Sequence, residues 1–135
     1  VELYVVTNNP TFVKEASMPS GAGMETADSL MDVLIRCQRL LDEGWRLAID
    51  PLAGYRVRPN PFHTVFLMRD QAQLAPRNGR NYLWEIDSIA ALMEKYRREQ
   101  HEVAAHFADE RKRMGHAAVD RSIALRSLDQ LLAMM

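Results

Sequence analysis

"SLMDVLIRCQRLLDEG", residues Ser29 to Gly44, decides the fold. Leu30, Val33, Leu34, Cys37, Leu40 and Leu41 recur at i, i+3, i+4, i+7, i+10 and i+11, the spacing that gathers apolar groups on one face of a helix. Asp28 or Ser29 can cap its start, and Gly44 suits the position just past its end. A helix with one apolar face must bury it against another layer, and the flanking segments supply a sheet. "LYVVT" (3–7) is rich in β-branched and aromatic side chains, and "WRLAI" (45–49) and "HTVFLM" (63–68) have the same strand character. With the helix as a crossover, the first two strands run parallel and their carboxyl ends lie on the same side.

Asn8, Asn9 and Pro10 end the first strand, and "SMPSGAGMETAD" (17–28), rich in small and turn-forming residues and without a period, reads as a loop. After "HTVFLM", the polar "RDQAQLAPRNGRN" (69–81) leads to helices. Ile86, Ile89, Met93, Tyr96, Gln100, Val103, Phe107, Glu110 and Met114 form a heptad-like stripe with polar breaks. Unbroken to Gly115, that helix would be about 43 Å long at 1.5 Å per residue, the full width of a domain this size. A turn at Gly115 and His116 would let Val119, Ile123, Leu128, Leu131, Leu132 and Met135 fold back on it. A helical hairpin is the simpler outcome, and a homodimer seam through these helices is its rival. The expected fold is therefore α/β: one domain over 1–135, with an α/β core (1–84) of about three strands in two or three layers around a crossover helix, and C-terminal helices (85–135).

The composition, 135 residues with 47% apolar side chains and a formal charge of −1, is that of a globular chain with one core. A pI near 6.5 lacks the electrostatic footprint of a nucleic-acid-binding domain. A lone cysteine, Cys37, cannot form an internal disulfide and falls on the apolar stripe of its helix, where a packed thiol is expected. No apolar run reaches the roughly 18 residues of a membrane span, and "VELYVVTNNP" lacks the features of a signal peptide. The expected location is the cytoplasm. Charge is segregated along the chain: residues 1–44 carry three basic against seven acidic groups, whereas 45–80 carry six arginines, no lysine and two aspartates.

That cationic segment contains "DPLAGYRVRPNPFH", Asp50 to His63, between two strands. Its prolines stiffen the loop, Gly54 permits a tight turn or close backbone approach, and Arg56, Arg58, Asn60 and His63 supply donors. In an extended segment Arg56 and Arg58 share a face, and paired guanidiniums suit carboxylate or phosphate. Open α/β sheets bind ligands at the carboxyl ends of their strands. Thr7, Asn8, Asn9, Asp50, Gly54, Arg56, Arg58, Asn60 and His63 are therefore the candidate ligand-binding residues, expected to converge on one side of the sheet. A rigid corner, in which the asparagines bond backbone, has the same composition.

Other sites fail on spacing. "HEVAAH" (101–106) has one residue more than the zinc-protease H-E-x-x-H and throws its histidines off a common face. No two histidines have ligand spacing, so no metal is expected. "SGAG" (20–23) lacks the lysine of a phosphate loop and the dinucleotide glycine spacing, and no cofactor is expected.

A strand ending in "TNNP", an acidic helix containing "DVLIRC", then "PLAG" turning into "RPN" and a hydrophobic strand resembles the GrdX family, small proteins encoded beside the glycine, sarcosine and betaine reductases of amino-acid-fermenting anaerobes. The similar region runs from Leu3 to Met68. Where members carry a histidine before "PL" this chain has Asp50, and the strand that members place between "TNNP" and the helix is replaced by "SMPSGAGMETAD". The resemblance implies a pathway context and supplies no catalytic residue. It implies an accessory or regulatory protein of such a reductase system, with a reductase component or a small anionic metabolite as the expected partner. Two alternatives stand beside it: a small enzyme acting on a carboxylate- or phosphate-bearing metabolite, with His63 or Asp50 as acid/base and Arg56 and Arg58 orienting substrate, and a helical assembly protein. Whether the chain is catalytic is left open by these residues. No nucleic acid and no membrane are expected as partners.

Overall fold

The computed structural model describes residues 2–51, 59–70 and 80–135, and all their side chains except those of 80–82. Within them the order is β1 (Glu2–Thr7), α1 (Pro10–Glu15), β2 (Gly23–Thr26), α2 (Leu30–Asp42), β3 (Arg46–Leu47), β4 (Thr64–Arg69), α3 (Arg80–Ala108) and α4 (Glu110–Met134). The strands form one mixed sheet in the order β2-β1-β4-β3. β1 pairs parallel with β2, Val5 opposite Met24, and antiparallel with β4, Val5 opposite Phe66 and Val6 opposite Val65. β4 pairs antiparallel with β3 through Arg46–Met68 and Leu47–Leu67. β1, β2 and β3 thus point one way and β4 the other. The first and third strands share a direction as the crossover requires, with β4 inserted between them.

The sheet has four strands where the sequence suggests about three, and the extra one corrects the reading of 17–28 as loop. "GMET" forms β2, and α1 precedes it, with Asn9 as N-cap accepting from the Thr11 amide and Pro10 in the first turn. Four residues opening on a glycine carry no legible alternation. The glycine has a reason: a Cβ at Gly23 would lie 2.5 Å from Tyr4 Cδ1, so the Tyr4 ring occupies the space a side chain would need.

Alternation along the strands then sorts the core into two halves. Val6, Val65 and Leu67 face Val33, Leu34, Cys37, Leu40 and Leu41 of α2 and Ile89 of α3. Leu3, Val5 and Phe66 face Phe12 of α1 and Ala124, Leu128 and Leu131 of α4. The result is three layers, with each fully buried Leu, Val or Phe contributing about 1.5–3 kcal/mol. α2 matches its sequence signals: Ser29 accepts from the Asp32 amide at 3.1 Å, and Gly44 takes φ +100°, open to glycine at little cost. β3 is shorter than "WRLAI" suggests. Its Leu47 amide donates to Glu85 Oε1 of α3 at 2.9 Å, so a helix side chain caps the sheet edge that a longer strand would have exposed.

α3 and α4 form the expected hairpin, but it turns at Asp109 rather than at Gly115 and His116, which lie inside α4. The Asp109 side chain accepts from the Lys112 amide at 3.0 Å, an N-cap that outweighs the roughly 1 kcal/mol cost of a glycine within a helix. The stripe through α3 buries Ile89 and Val103 and lapses past the turn, where Met114 is exposed. The two arms straddle the sheet: α3 covers the α2 side and α4 the α1 side. No helix among the described residues is long and apolar enough to cross a membrane.

Candidate functional site

Strand direction brings three segments to one rim of the sheet: the end of β1 (Asn8, Asn9), the residues after β3 (Ile49, Asp50, Pro51) and those before β4 (Pro59–His63). α4 passes beside this rim. Polar side chains here bind the segments to one another. Asn8 donates from Nδ2 to the Pro61 carbonyl at 2.8 Å and accepts from the His63 amide at 2.9 Å, which locks the β1 end against the entry to β4. Asn60 donates to the His116 carbonyl at 3.0 Å and accepts from the Phe62 amide at 2.8 Å, and His106 Nδ1 lies 3.2 Å from the Pro59 carbonyl. The His106 and His116 rings stack at 4.6 Å across the α3–α4 hairpin.

At the centre is a carboxylate that sequence reasoning missed. Asp120 of α4 is fully buried, and its Oδ2 accepts from Asn9 Nδ2 at 2.9 Å and from Thr64 Oγ1 at 2.8 Å. Asn9 Nδ2 also reaches the Ala117 carbonyl, while its Oδ1 accepts from the Thr11 amide and hydroxyl. Thr7 Oγ1 lies 2.8 Å from Thr64 Oγ1 and accepts from the Asn9 amide. One buried network therefore joins β1, α1, β4 and α4. The signal for Asp120 was present: Ala117, Asp120, Ala124, Leu128 and Leu131 form the buried stripe of α4, and an ionisable residue on such a stripe needs specific partners. Val119, a member of the stripe expected from sequence, is half-exposed instead.

Beside this network is a small cleft open to solvent, with an enclosed volume of about 20 Å³. Asp50, His63, Thr64, Asp120 and Ser127 give it polar walls, and Ile49, Val65, Phe66 and Ile123 line the apolar side. Of the sequence candidates, Asp50 and His63 line the cleft. Thr7, Asn8, Asn9 and Asn60 stand at the same rim with their side chains bonded within the protein. Gly54, Arg56 and Arg58 lie outside the described residues. Thr64, Asp120 and Ser127 are additions made by the fold. Among the described residues no group of three His, Cys, Asp or Glu could hold a metal ion.

Away from the rim, Tyr4 donates to Glu25, which also receives Arg36 Nε at 2.8 Å. Burial, reinforced by the Glu25 carboxylate, raises the Tyr4 phenol above its ordinary range. Burial likewise pushes the Cys37 thiol up, as befits a packing residue.

A protein-family model described as "GrdX-like protein" matches residues 4–128. The match extends past Met68 through most of α4 and so includes Asp120 as well as Asn9 and Thr64. No curated protein and no solved structure matches the chain.

Proposed function

The chain belongs to the GrdX-like protein family, and from that premise we propose that it is an accessory or regulatory protein of an amino-acid (glycine, sarcosine or betaine) reductase system that holds a small carboxylate-bearing metabolite in the cleft at the sheet rim. The observation that carries the reading is the cleft itself, lined by Asp50, His63, Thr64 and Asp120 at the carboxyl end of β3. β1 and β3 run the same way with antiparallel β4 between them, and the cleft stands between the carboxyl end of β3, the start of β4 and α4. Residues 52–58 bring Arg56 and Arg58 into the sequence between Pro51 and His63, both of which line the cleft. Arginine side chains are the type that recognises carboxylate by paired hydrogen bonds.

The test is genetic and biochemical. In a host that encodes both the chain and such a reductase, deletion of the gene lowers reductase turnover in extracts, purified wild-type chain restores it, and the Arg56→Ala/Arg58→Ala double variant does not. Extracts that turn over equally with and without the chain contradict the accessory role. A small enzyme is the second reading, favoured by His63 and Asp50 sharing one cleft; its test is turnover of carboxylate or phosphate-ester metabolites by the purified chain, abolished in His63→Gln.

A further inference from the structure

We infer that the outer edge of β2 docks an extended, basic segment of a partner polypeptide as a further strand of the sheet; this surface lies two strands away from β4 and its cleft and does not depend on the cleft being a ligand site.

The two edges of the sheet are finished differently. At β3 a helix side chain takes an outward amide, since Leu47 donates to Glu85 Oε1 at 2.9 Å. β2 stands at the other end of the order β2-β1-β4-β3. Thr7 lies opposite Thr26 in the parallel β1–β2 pair, and the Thr7 carbonyl accepts from the Ala27 amide at 2.9 Å. A parallel ladder bonds such a residue to both neighbours of the one opposite, so Glu25 and Ala27 face β1. Met24 and Thr26 therefore each turn an amide and a carbonyl away from the sheet, and no backbone group among the described residues receives them. No residue in 17–28 is buried. β2 also holds no lysine, proline or bulge, the devices that commonly guard an exposed edge. An edge of this kind accepts an added strand through main-chain hydrogen bonds.

Two residues make a short edge, so the side chains of the occupant must add to it. Residues 1–44 carry seven acidic against three basic groups. Glu25 is met by Arg36 at 2.8 Å and Glu15 by Arg121 at 3.2 Å. Asp28 and Asp32, just past the end of β2, are exposed and in no ion pair among the described residues. A lysine or arginine on a docked strand is attracted by these carboxylates, and an acidic segment is repelled. A second copy of this chain fits less well. The two-fold antiparallel register that uses every outward group pairs Met24 with Thr26 and sets Glu25 opposite its own copy, like charges directly across a strand pair. The complementary occupant is a different chain with basic side chains.

The experiment titrates the full chain with two end-blocked hexapeptides, one alternating Lys and Val and one alternating Glu and Val, followed by amide-resolved NMR at pH 7 and low ionic strength. The Lys-Val peptide is expected to shift the Met24 and Thr26 amides and to bind roughly fivefold or more tightly than the Glu-Val peptide, the size two exposed charge pairs supply. Thr26→Pro deletes one outward amide while leaving the Glu25 and Ala27 bonds to β1, and an edge strand tolerates proline. It should weaken the Lys-Val peptide by roughly fivefold or more. Asp28→Asn/Asp32→Asn should bring the two peptides to equal affinity with the same amides shifting. Equal affinity in the wild-type chain overturns the basic partner. No binding of the Lys-Val peptide, or shifts that avoid Met24 and Thr26, overturns the edge as the docking surface. A chain that dimerises alone and is returned to monomer by Thr26→Pro makes the edge an interface between copies and likewise overturns the inference.

Discussion

Replacing Asp120 tests whether the buried network ties α4 to the sheet. Its Oδ2 accepts two hydrogen bonds, from Asn9 Nδ2 at 2.9 Å and Thr64 Oγ1 at 2.8 Å. Bonds to a charged group contribute about 1.5–3 kcal/mol each, which would give about 3–6 kcal/mol if both donors were stranded. Neither is wholly stranded in Asp120→Ala, because Asn9 Nδ2 keeps the Ala117 carbonyl and Thr64 keeps Thr7. The substitution also removes the cost of burying a carboxylate. The expected loss is therefore about 2–4 kcal/mol, a Tm lower by roughly 8–15 °C for a chain of this length. Asp120→Asn keeps the shape and one acceptor, so about 1 kcal/mol is expected. Asp129→Ala, at an exposed position of the same helix, is the control and should stay within about 0.5 kcal/mol of wild type. Urea denaturation of these variants measures the differences, and a double-mutant cycle with Thr64→Val should give a coupling of at least about 0.5 kcal/mol. Asp120→Ala as stable as Asp129→Ala would refute the network's role in holding α4.

The turn at Asp109 makes Gly115 an ordinary interior residue of α4, with nothing within 4 Å of where its Cβ would stand; Gly115→Ala should stabilise by about 0.5–1 kcal/mol, whereas a turn glycine would be destabilised. Asp109→Ala removes the cap on the Lys112 amide and should cost about 1 kcal/mol in the same denaturation assay. Gly23→Ala drives a Cβ into the Tyr4 ring, which packs 5.3 Å from Trp45, and should cost about 1–3 kcal/mol. Cys37 has its thiol form favoured in the fold, so the stability it contributes is full below the ordinary thiol range near about 8.5 and declines as pH rises above it; urea midpoints between pH 7 and 10 should fall in wild type and fall less steeply in Cys37→Ala.

The elements with strong periodic signals were legible before any coordinates. α2 appears between its cap and its glycine because the apolar stripe, Ser29 and Gly44 all indicate the same helix, and the hydrophobic strands follow from side-chain type alone. β2 was not legible, since Gly23 takes its place through the Tyr4 ring above it and not through any preference of its own. The hairpin turn was misplaced because Gly115 is a louder punctuation mark than Asp109, although the cap bonds the backbone and the glycine does not break it. At the rim, Asp50 and His63 could be found from the loop that contains them. Asp120 could not be paired with Asn9 from sequence, because 111 positions separate them and only the folding of α4 across the sheet brings them together. Its place on an apolar stripe was the one available hint.

Whether the cleft at the sheet rim takes a small carboxylate-bearing ligand is met most directly by an amide-resolved NMR titration of the full chain with propionate. Saturable shifts are expected at Asp50, His63, Thr64 and Asp120, with the Glu2–Arg69 end of the sheet unmoved. Shifts absent at saturating propionate, or confined to that opposite end, would contradict the cleft as the ligand site.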